Sequence, residues 1–266
     1  SDEFRKDSLQ FFPGLDSYFL PFSTEQLSNE QIQKDSTGHY NHELVLQNII
    51  GVLPGKIKPE EVIIFSAHYD HMGVIPGEGI YNGANDDASG TTAVLELAHY
   101  YSMRNDNERT LIFCTFAGEE LGLYGSIAFV PYIKPEKVVA DINIEMIGRQ
   151  LKNNSFFITG TWLSDFEGIM KKNLEGQKIK IIKDPDLSKR LFWRSDNYSF
   201  AKKGIPSHSI MSSNDSDPCY HQPCDDVRTI DIERMTNIIK AITVGVRTIV
   251  DGTDTPSRIN LKELNK

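Results

Sequence analysis

The sequence is poor in positive charge and has no run of basic residues. Its 266 residues include 28 Lys and Arg against 37 Asp and Glu, for a formal net charge of -9. Such a chain lacks the cationic surface that nucleic acids and anionic membranes require, so we expect neither as a partner. Long apolar runs are also missing. No window approaches the roughly 20 apolar residues of a membrane-crossing helix, so we expect no transmembrane segment.

Cysteine is scarce, which excludes a disulfide-rich scaffold. Of the three cysteines, Cys114 lies in the apolar run LIFCTF and is predicted to be a buried thiol. Cys219 and Cys224 flank an imidazole in PCYHQPCDD, and no second close pair completes a Cys-rich zinc site. We therefore expect a disulfide between Cys219 and Cys224, which indicates an oxidising compartment. Half of a thiolate zinc site is the alternative.

The apolar residues form short, continuous, β-branched runs. These runs are 62–67, 110–117, 139–148, 155–160 and 207–211. Runs without alternation are typical of strands covered on both faces. Residues 91–103 and 231–252 instead show helical spacing, the second with Asp231 as N-cap and Gly252 as stop. Strands alternating with helices predict an α/β fold, a three-layer α/β/α sandwich with a mostly parallel, mixed central sheet.

No internal repeat or low-complexity linker divides the chain, so we expect a single domain over 1–266. Its core is expected over about 45–252, after a helical lead-in over 1–44 and before an exposed arm over 253–266. Because the chain starts at Ser1 and not at Met, we expect a signal segment to have been removed.

Acidic and imidazole side chains recur near the ends of the predicted strands. His68 and Asp70 follow the first strand, and Glu119 and Glu120 follow the second. Asp86 and Asp87 precede a helix, Glu145 lies in the third strand, and His221 lies in a later loop. Ligand sites in open α/β sheets lie outside the carboxyl ends of the strands, so we expect these side chains to converge. Glu145 in INIEMIG is the most informative, because burying an unpaired carboxylate is costly. The sequence offers only Arg149 as a nearby cation.

Carboxylates and imidazoles without thiolates favour zinc. Five ligands with one shared carboxylate fit a two-metal centre with its ions ~3.5–4 Å apart. The segment HELVL at 42–46 lacks the second histidine of H-E-x-x-H, so we interpret His42 as a surface residue. Each motif alone also fits a turn, a helix cap or a solvated face. The metal-site hypothesis therefore depends on their joint occurrence.

Six motifs occur in the order found in the co-catalytic di-zinc aminopeptidases of peptidase family M28. They are AHYDHMG, NGANDDASG, GEELGLYGS, NIEMIG, RSDNYSFAKKGIP and YHQPCDD, within about 45–250. The resemblance implies two zinc ions per chain, bridged by Asp86. It implies that His68 and Glu145 complete one site, and that Glu120 and His221 complete the other. Glu145 stands where the aminopeptidases of this family usually have Asp.

The resemblance also assigns residues that do not bind metal. Glu119 is implied as the general base toward a metal-bridging water, and Asp70 as the group that accepts from His68 and fixes its tautomer. The expected substrate-pocket residues are Asp196, Asn197, Tyr198 and Tyr220. Asn197 stands where many relatives carry His. His71 has no role in this resemblance and is interpreted as a rim residue.

The implied enzyme is a zinc-dependent aminopeptidase that hydrolyses the N-terminal bond of peptides with a free N terminus. It is expected to be monomeric and periplasmic or secreted. A carboxypeptidase of the same family is one alternative, with Lys189, Arg190 and Arg194 as candidates to hold a C-terminal carboxylate. A single-zinc glutaminyl-cyclase-like acyltransferase is another, although His68 and the complete GEELG motif argue against it. A non-catalytic binding module would have lost ligands, whereas every ligand position here holds a competent residue.

Overall fold

The strands and helices largely follow the predicted alternation. The structure, a computed structural model, describes residues 1–24, 44–151 and 154–264. Its strands are β1 (Phe19–Ser23), β2 (Val45–Leu53), β3 (Lys58–His68), β4 (Gly73–Ile75), β5 (Gly79–Tyr81), β6 (Arg109–Phe116), β7 (Val138–Ile144), β8 (Ser155–Ile158), β9 (Lys180–Ile182) and β10 (Ser207–Met211). Its α-helices are α1 (Asp2–Lys6), α2 (Ser89–Arg104), α3 (Tyr124–Phe129), α4 (Phe166–Asn173), α5 (Asn197–Ala201), α6 (Ile232–Gly245), α7 (Arg247–Val250) and α8 (Leu261–Leu264).

Eight strands form one mixed sheet in the order β1-β2-β6-β3-β7-β10-β8-β9, and β4 and β5 form a separate hairpin. The neighbours β6, β3, β7 and β10 are parallel, whereas β2 is antiparallel to β6 and β8 to β10. The predicted mixed sheet is therefore confirmed. The carboxyl ends of four adjacent strands consequently point to one edge of the sheet.

Both faces of the sheet are covered, which explains the continuous apolar runs. Side chains alternate between the faces of a strand. In β3, Ile63 and Phe65 therefore pack in the cluster formed with α2 and α6. Ile64 packs on the other face with Phe129 of α3 and Phe200 of α5. Helix layers on the two faces make the three-layer sandwich. No helix in the described part of the chain is both long and apolar enough to cross a membrane.

Strand β2 was not predicted, because polar residues interrupt its apolar pattern. Asn48 in this strand is fully buried. Its side chain donates to the carbonyl of Gly125 at 2.8 Å and accepts from the amide of Ala117 at 3.1 Å. The long helix predicted over 231–252 is divided into α6 and α7, and the Asp231 carboxylate caps its start by accepting from the Arg234 amide.

The two ends of the chain are more integrated than predicted. In the lead-in, α1 ends at Lys6 and β1 joins the sheet, while His42 lies outside the described residues. In the segment after 252, Pro256, Ile259 and Leu264 are buried. The prediction of an exposed arm is therefore wrong at these positions, because their apolar side chains pack against the rest of the domain.

Arg109 anchors the C-terminal segment. It lies at the start of β6 and is 2% exposed. Its guanidinium donates to the carbonyls of Ile249 at 2.6 Å and Asp254 at 2.7 Å, and to Thr255 Oγ1 at 2.6 Å. A fourth contact joins it to Glu61 at 2.5 Å. The guanidinium of Arg109 thus connects β3, α7 and the C-terminal segment that follows α7.

We expect Arg109→Ala to lower the free energy of unfolding by about 2–4 kcal/mol, because a buried and a partly buried carbonyl lose their donor. Urea denaturation followed by circular dichroism measures this change. Arg104→Ala is the matched control, since Arg104 is exposed and pairs only near its own helix end. It should cost less than about 0.5 kcal/mol. Equal losses in the two variants would contradict the anchoring role.

Candidate metal centre

The side chains predicted at strand ends meet at the carboxyl edge of the sheet. His68 is the last residue of β3, and Glu145 directly follows β7. Glu119 and Glu120 lie in the turn after β6, and Asp86 lies in the turn before α2. Because β6, β3 and β7 are adjacent and parallel, the turns after them open at the same place.

Asp86 lies at the centre of this group and is 3% exposed. Its Oδ1 is 3.2 Å from Nε2 of His68, and its Oδ2 is 3.2 Å from Nε2 of His221. The same His221 nitrogen is 3.1 Å from Oε2 of Glu120. One carboxylate therefore contacts two imidazoles through its two oxygens. We call His68, Asp86 and Glu145 the inner site, and Asp86, Glu120 and His221 the outer site.

Four donor atoms of these sites have no hydrogen-bond partner within the described part of the chain. His68 Nε2, His221 Nε2, Glu120 Oε1 and Glu145 Oε2 are buried, with no hydrogen bond among the described residues. Unpaired buried polar atoms are costly and uncommon in native proteins. In the inner site, one donor atom from each of the three residues lies within 4.8 Å of the others. Imidazole and carboxylate donors so arranged fit zinc.

Arg149 does not neutralise Glu145. Its guanidinium pairs with Asp217 at 2.5 Å and Asp225 at 3.0 Å. None of the ion pairs in the described part of the chain joins Glu145 to a Lys or Arg side chain. Burial, and then the nearby Asp86 charge, raise the pKa of Glu145 to about 7, although His68 acts in the opposite direction. A bound cation would supply the missing positive charge.

Glu119 faces the same space without belonging to the inner or the outer site. It is 8% exposed. Burial raises the pKa of its carboxyl group well above the usual range, and the charge of Glu145 adds to this effect while His68 opposes it. A carboxyl group with these surroundings is suited to taking up and releasing a proton.

Asp70 supports the turn after β6, which corrects its predicted role. Its Oδ1 accepts from the amide of Glu119 at 3.1 Å and its Oδ2 from the amide of Glu120 at 3.3 Å. His68 Nδ1 lies 3.1 Å from the backbone carbonyl oxygen of Asp70, but 3.7 Å from its carboxylate. The contact that sets the tautomer of His68 therefore comes from the backbone of Asp70, because two amides engage its side chain.

Two further carboxylates, to which sequence reasoning gave no role in the centre, hold its backbone. Asp225 accepts from the amides of Asn85 at 2.9 Å and Asp86 at 3.0 Å. Asp87 accepts from the amide of Met146, the residue after Glu145, at 3.0 Å. The acidic pair that ends YHQPCDD was the available signal, but a carboxylate that binds distant amides has no signature in sequence.

The loop that carries His221 is closed by a disulfide between Cys219 and Cys224, as predicted. The ring of Tyr220 stacks on that of His221, with centroids 3.9 Å apart and planes 18° apart. Cys114 is a buried free thiol, also as predicted. The covalent loop and the stacked ring together restrict the orientation of the imidazole.

A cavity of about 470 Å³ opens beside the carboxylates. Of the four predicted pocket residues, Tyr198 and Tyr220 line it. Its apolar wall includes Leu123, Ile127, Leu191, Trp193 and Met211. The cavity therefore combines an acidic end with an apolar and aromatic wall, as expected of a site for an extended organic substrate.

Asn197 and Asp196 do not line this cavity, so their prediction as pocket residues is wrong. Asn197 is fully buried, where it donates to the carbonyl of Phe192 at 3.1 Å and accepts from Ser209 Oγ at 2.9 Å. Asp196 is also fully buried, and burial raises its pKa to about 7. Both side chains point into the protein because they lie at the start of α5, which packs on the sheet.

His71 is a member of the centre that sequence reasoning missed. Its side chain is 6% exposed, and its Nδ1 lies 2.9 Å from Oε1 of Glu120. His71, Asp86 and Glu120 form a second set of donor atoms that all lie within 4.8 Å of one another. A second imidazole three residues beyond the strand end was the available signal. The interpretation of His71 as a rim residue is wrong.

Comparison with known proteins finds aminopeptidases and other peptidase-like enzymes among the relatives of this chain. Aminopeptidase YwaD of Bacillus subtilis (strain 168) is 30% identical over 222 residues, which cover 80% of this chain and 47% of the relative. Leupeptin-inactivating enzyme 1 of Streptomyces exfoliatus is 27% identical over 231 residues, covering 79% of this chain and 50% of the relative. The chain thus spans about half the length of these curated relatives.

Solved structures show the same fold. A zinc aminopeptidase from Bacillus subtilis superposes with a TM-score of 0.64 at 26% identity, covering 77% of this chain and 50% of its own. Glutaminyl cyclase from Porphyromonas gingivalis has a TM-score of 0.63 at 16% identity, covering 94% and 87%, and shares the fold alone. The model of Peptidase family M28 matches residues 48–245, which include all the residues of the inner and outer sites, and the chain belongs to that family.

Proposed function

We propose that this chain is a zinc-dependent aminopeptidase with two zinc ions at the described centre. The observation that carries the proposal is the pair of contacts made by Asp86, one to His68 and one to His221. Because each oxygen of the Asp86 carboxylate contacts a different imidazole, Asp86 can bind the ions of the inner and the outer site at the same time. This arrangement is that of a co-catalytic centre.

In this proposal, the inner site and the outer site each hold one zinc ion. When bound, zinc polarises a carbonyl group and lowers the pKa of water toward neutrality. The protein holds the donor atoms in place before binding, since the backbone around Asp86 is fixed by Asp225 and that around Glu120 by Asp70. Little rearrangement is then needed, which favours both binding and catalysis.

Glu119 is proposed as the general base and acid. Its carboxylate is the buried acidic group of the cavity that belongs to neither ligand set. It takes a proton from the attacking water and then delivers it to the leaving amine. Its position in the turn held by Asp70 keeps the carboxylate directed at the same space as the ligands.

The cationic side chains at the cavity already have partners within the protein, which favours a substrate with a free amine over one with a terminal carboxylate. Of the two that line it, Arg194 pairs with Asp215, and Lys202 lies over the ring of Tyr198 at 5.0 Å. Lys189 and Arg194, candidates for holding a C-terminal carboxylate, both pair with Asp215, at 2.6 and 2.7 Å. The third candidate, Arg190, stacks over the ring of Trp193 at 4.9 Å.

Zinc content and peptide-end specificity together test the proposal. Protein purified without added metal is analysed for zinc per chain and assayed on aminoacyl-nitroanilides with and without chelator. We expect two zinc ions and chelator-sensitive hydrolysis that N-acetylation of the substrate abolishes. One arm follows C-terminal release from blocked peptides, and another follows cyclisation of N-terminal Gln. Activity found only as C-terminal release would indicate a carboxypeptidase instead. Activity found only as cyclisation of N-terminal Gln would indicate a glutaminyl-cyclase-like acyltransferase.

Asp70 offers a prediction that separates support of the turn from metal binding. We expect Asp70→Ala to lower kcat about 10–100-fold, because the amides of Glu119 and Glu120 lose their acceptor. The inner site should keep its zinc, since the contact of His68 is with the backbone carbonyl of Asp70. Zinc analysis beside kinetics checks both parts. Loss of inner-site zinc with unchanged kcat per loaded enzyme would contradict this assignment.

The disulfide supports a location outside the reducing cytosol. Disulfides persist in oxidising compartments, and this one lies next to a ligand, His221. We therefore propose a periplasmic or secreted enzyme that acts on peptides. A monomer is proposed as the working unit, because both ligand sets come from one chain. Gel filtration with light scattering tests that state.

A further inference from the structure

His71 satisfies the geometric criteria that identify the other histidine ligands. Nε2 of His68 and Nε2 of His221 each lie 3.1–3.2 Å from a carboxylate oxygen, yet neither makes a hydrogen bond among the described residues. Nδ1 of His71 lies 2.9 Å from Oε1 of Glu120 and is likewise without a hydrogen bond. A nitrogen and an oxygen that are close but not aligned for a hydrogen bond can both point at a common ion.

The ring of His71 is held in this position by its surroundings. Gly83 has a left-handed backbone (φ +61°), and a Cβ atom there would lie 2.5 Å from Cγ of His71. On another side, the His221 ring packs edge-on at a centroid distance of 5.6 Å. The glycine thus leaves room for the imidazole against the backbone of the turn before Asp86. A ring fixed in this way is preorganised for ligation.

Both nitrogens of His71 are buried without a hydrogen bond among the described residues, and Nδ1 is directed at the carboxylate of Glu120. An ordinary packing histidine would instead satisfy at least one nitrogen, as His208 does with the carbonyl of Thr159 at 2.8 Å. Apart from the close carboxylate of Glu120, the described residues offer His71 no polar partner, and a shared ion would account for the burial of both groups.

We propose that His71 is a further protein ligand of the outer site, beside Asp86, Glu120 and His221. The inference rests on the proposed two-zinc function. It makes the two sites unequal, with four protein ligands in the outer site and three in the inner site. Zinc sites closed by four protein ligands are typically structural, whereas catalytic sites keep an open position. The outer ion is then the more tightly bound, and the inner site retains the open position for substrate.

Metal titration of the full chain tests this proposal. Metal-free wild type, His71→Ala and His71→Gln are titrated with zinc and cobalt(II), with His99→Ala as the matched control. His99 is 61% exposed and pairs with Asp7, away from the centre. We expect wild type and the control to bind two ions. We expect the His71 variants to lose outer-site affinity by more than about 100-fold, beyond the range for loss of an indirect partner.

A second readout distinguishes ligation from support. Each imidazole bound to cobalt(II) shows one strongly shifted, exchangeable N–H proton resonance, so the wild type should show three and His71→Gln two. Thermal unfolding of the metal-free proteins checks that the variants fold. An affinity loss of less than about 100-fold, or only two shifted resonances in the wild type, would overturn ligation by His71. Wild-type protein that binds fewer than two ions would instead overturn the two-zinc function.

Discussion

Replacing Glu119 by Gln is expected to lower kcat on aminoacyl-nitroanilides by about 10²–10⁴-fold while leaving two zinc ions bound. The amide keeps the size of the side chain but cannot accept a proton. It also removes a buried acid whose pKa is raised by burial, so the fold should not be weakened. Steady-state kinetics and zinc analysis on the same preparation provide the measurement.

The control for this substitution is Glu96→Gln, on the exposed side of α2. The same chemical change there should leave kcat and zinc content unaltered. Two results would count against Glu119 as the base. One is turnover close to wild type in Glu119→Gln. The other is loss of zinc in that variant, which would indicate that Glu119 is a ligand.

Removing the shared carboxylate should have the largest effect on metal content. We expect Asp86→Ala to lose both zinc ions and all measurable hydrolysis, because Asp86 contacts His68 of the inner site and His221 of the outer site. Glu145→Ala should lose only the inner ion. Mass-spectrometric zinc analysis after dialysis against a weak chelator distinguishes the two patterns.

Asp16→Ala serves as the control, since Asp16 is exposed and distant in sequence from every motif. Circular dichroism of the metal-free proteins establishes that Asp86→Ala still folds. If Asp86→Ala and Glu145→Ala each retained one ion, the two sites would not share a carboxylate. The proposed co-catalytic centre would then have to be replaced by two independent sites.

Much of the fold could be predicted because its pattern is local. Strands such as β3 and β6 are continuous apolar runs, and α2 has helical spacing with few interruptions. β2 escaped prediction because its buried polar residue, Asn48, is satisfied by Ala117 and Gly125, which are far away in the chain. Partners of that kind become visible only when the sheet is assembled.

By itself, the sequence determined the chemical types and order of the groups at the strand ends. It also determined their convergence, since parallel strands place their carboxyl ends at one edge. Hence His68, Asp86, Glu119, Glu120 and Glu145 could be named as one set. These are properties of spacing and residue type, which the chain carries locally.

Only the tertiary structure decided which partner each of the neighbouring polar side chains contacts. In the folded chain, the carboxylate of Asp70 accepts hydrogen bonds from two backbone amides. The side chain of Asn197 points into the interior, and that of His71 is buried beside Glu120. The physical reason is that a hydrogen bond or ligand contact depends on distances of about 3 Å and on direction. Residue types and spacing restrict such geometry, but the packing of distant segments sets it.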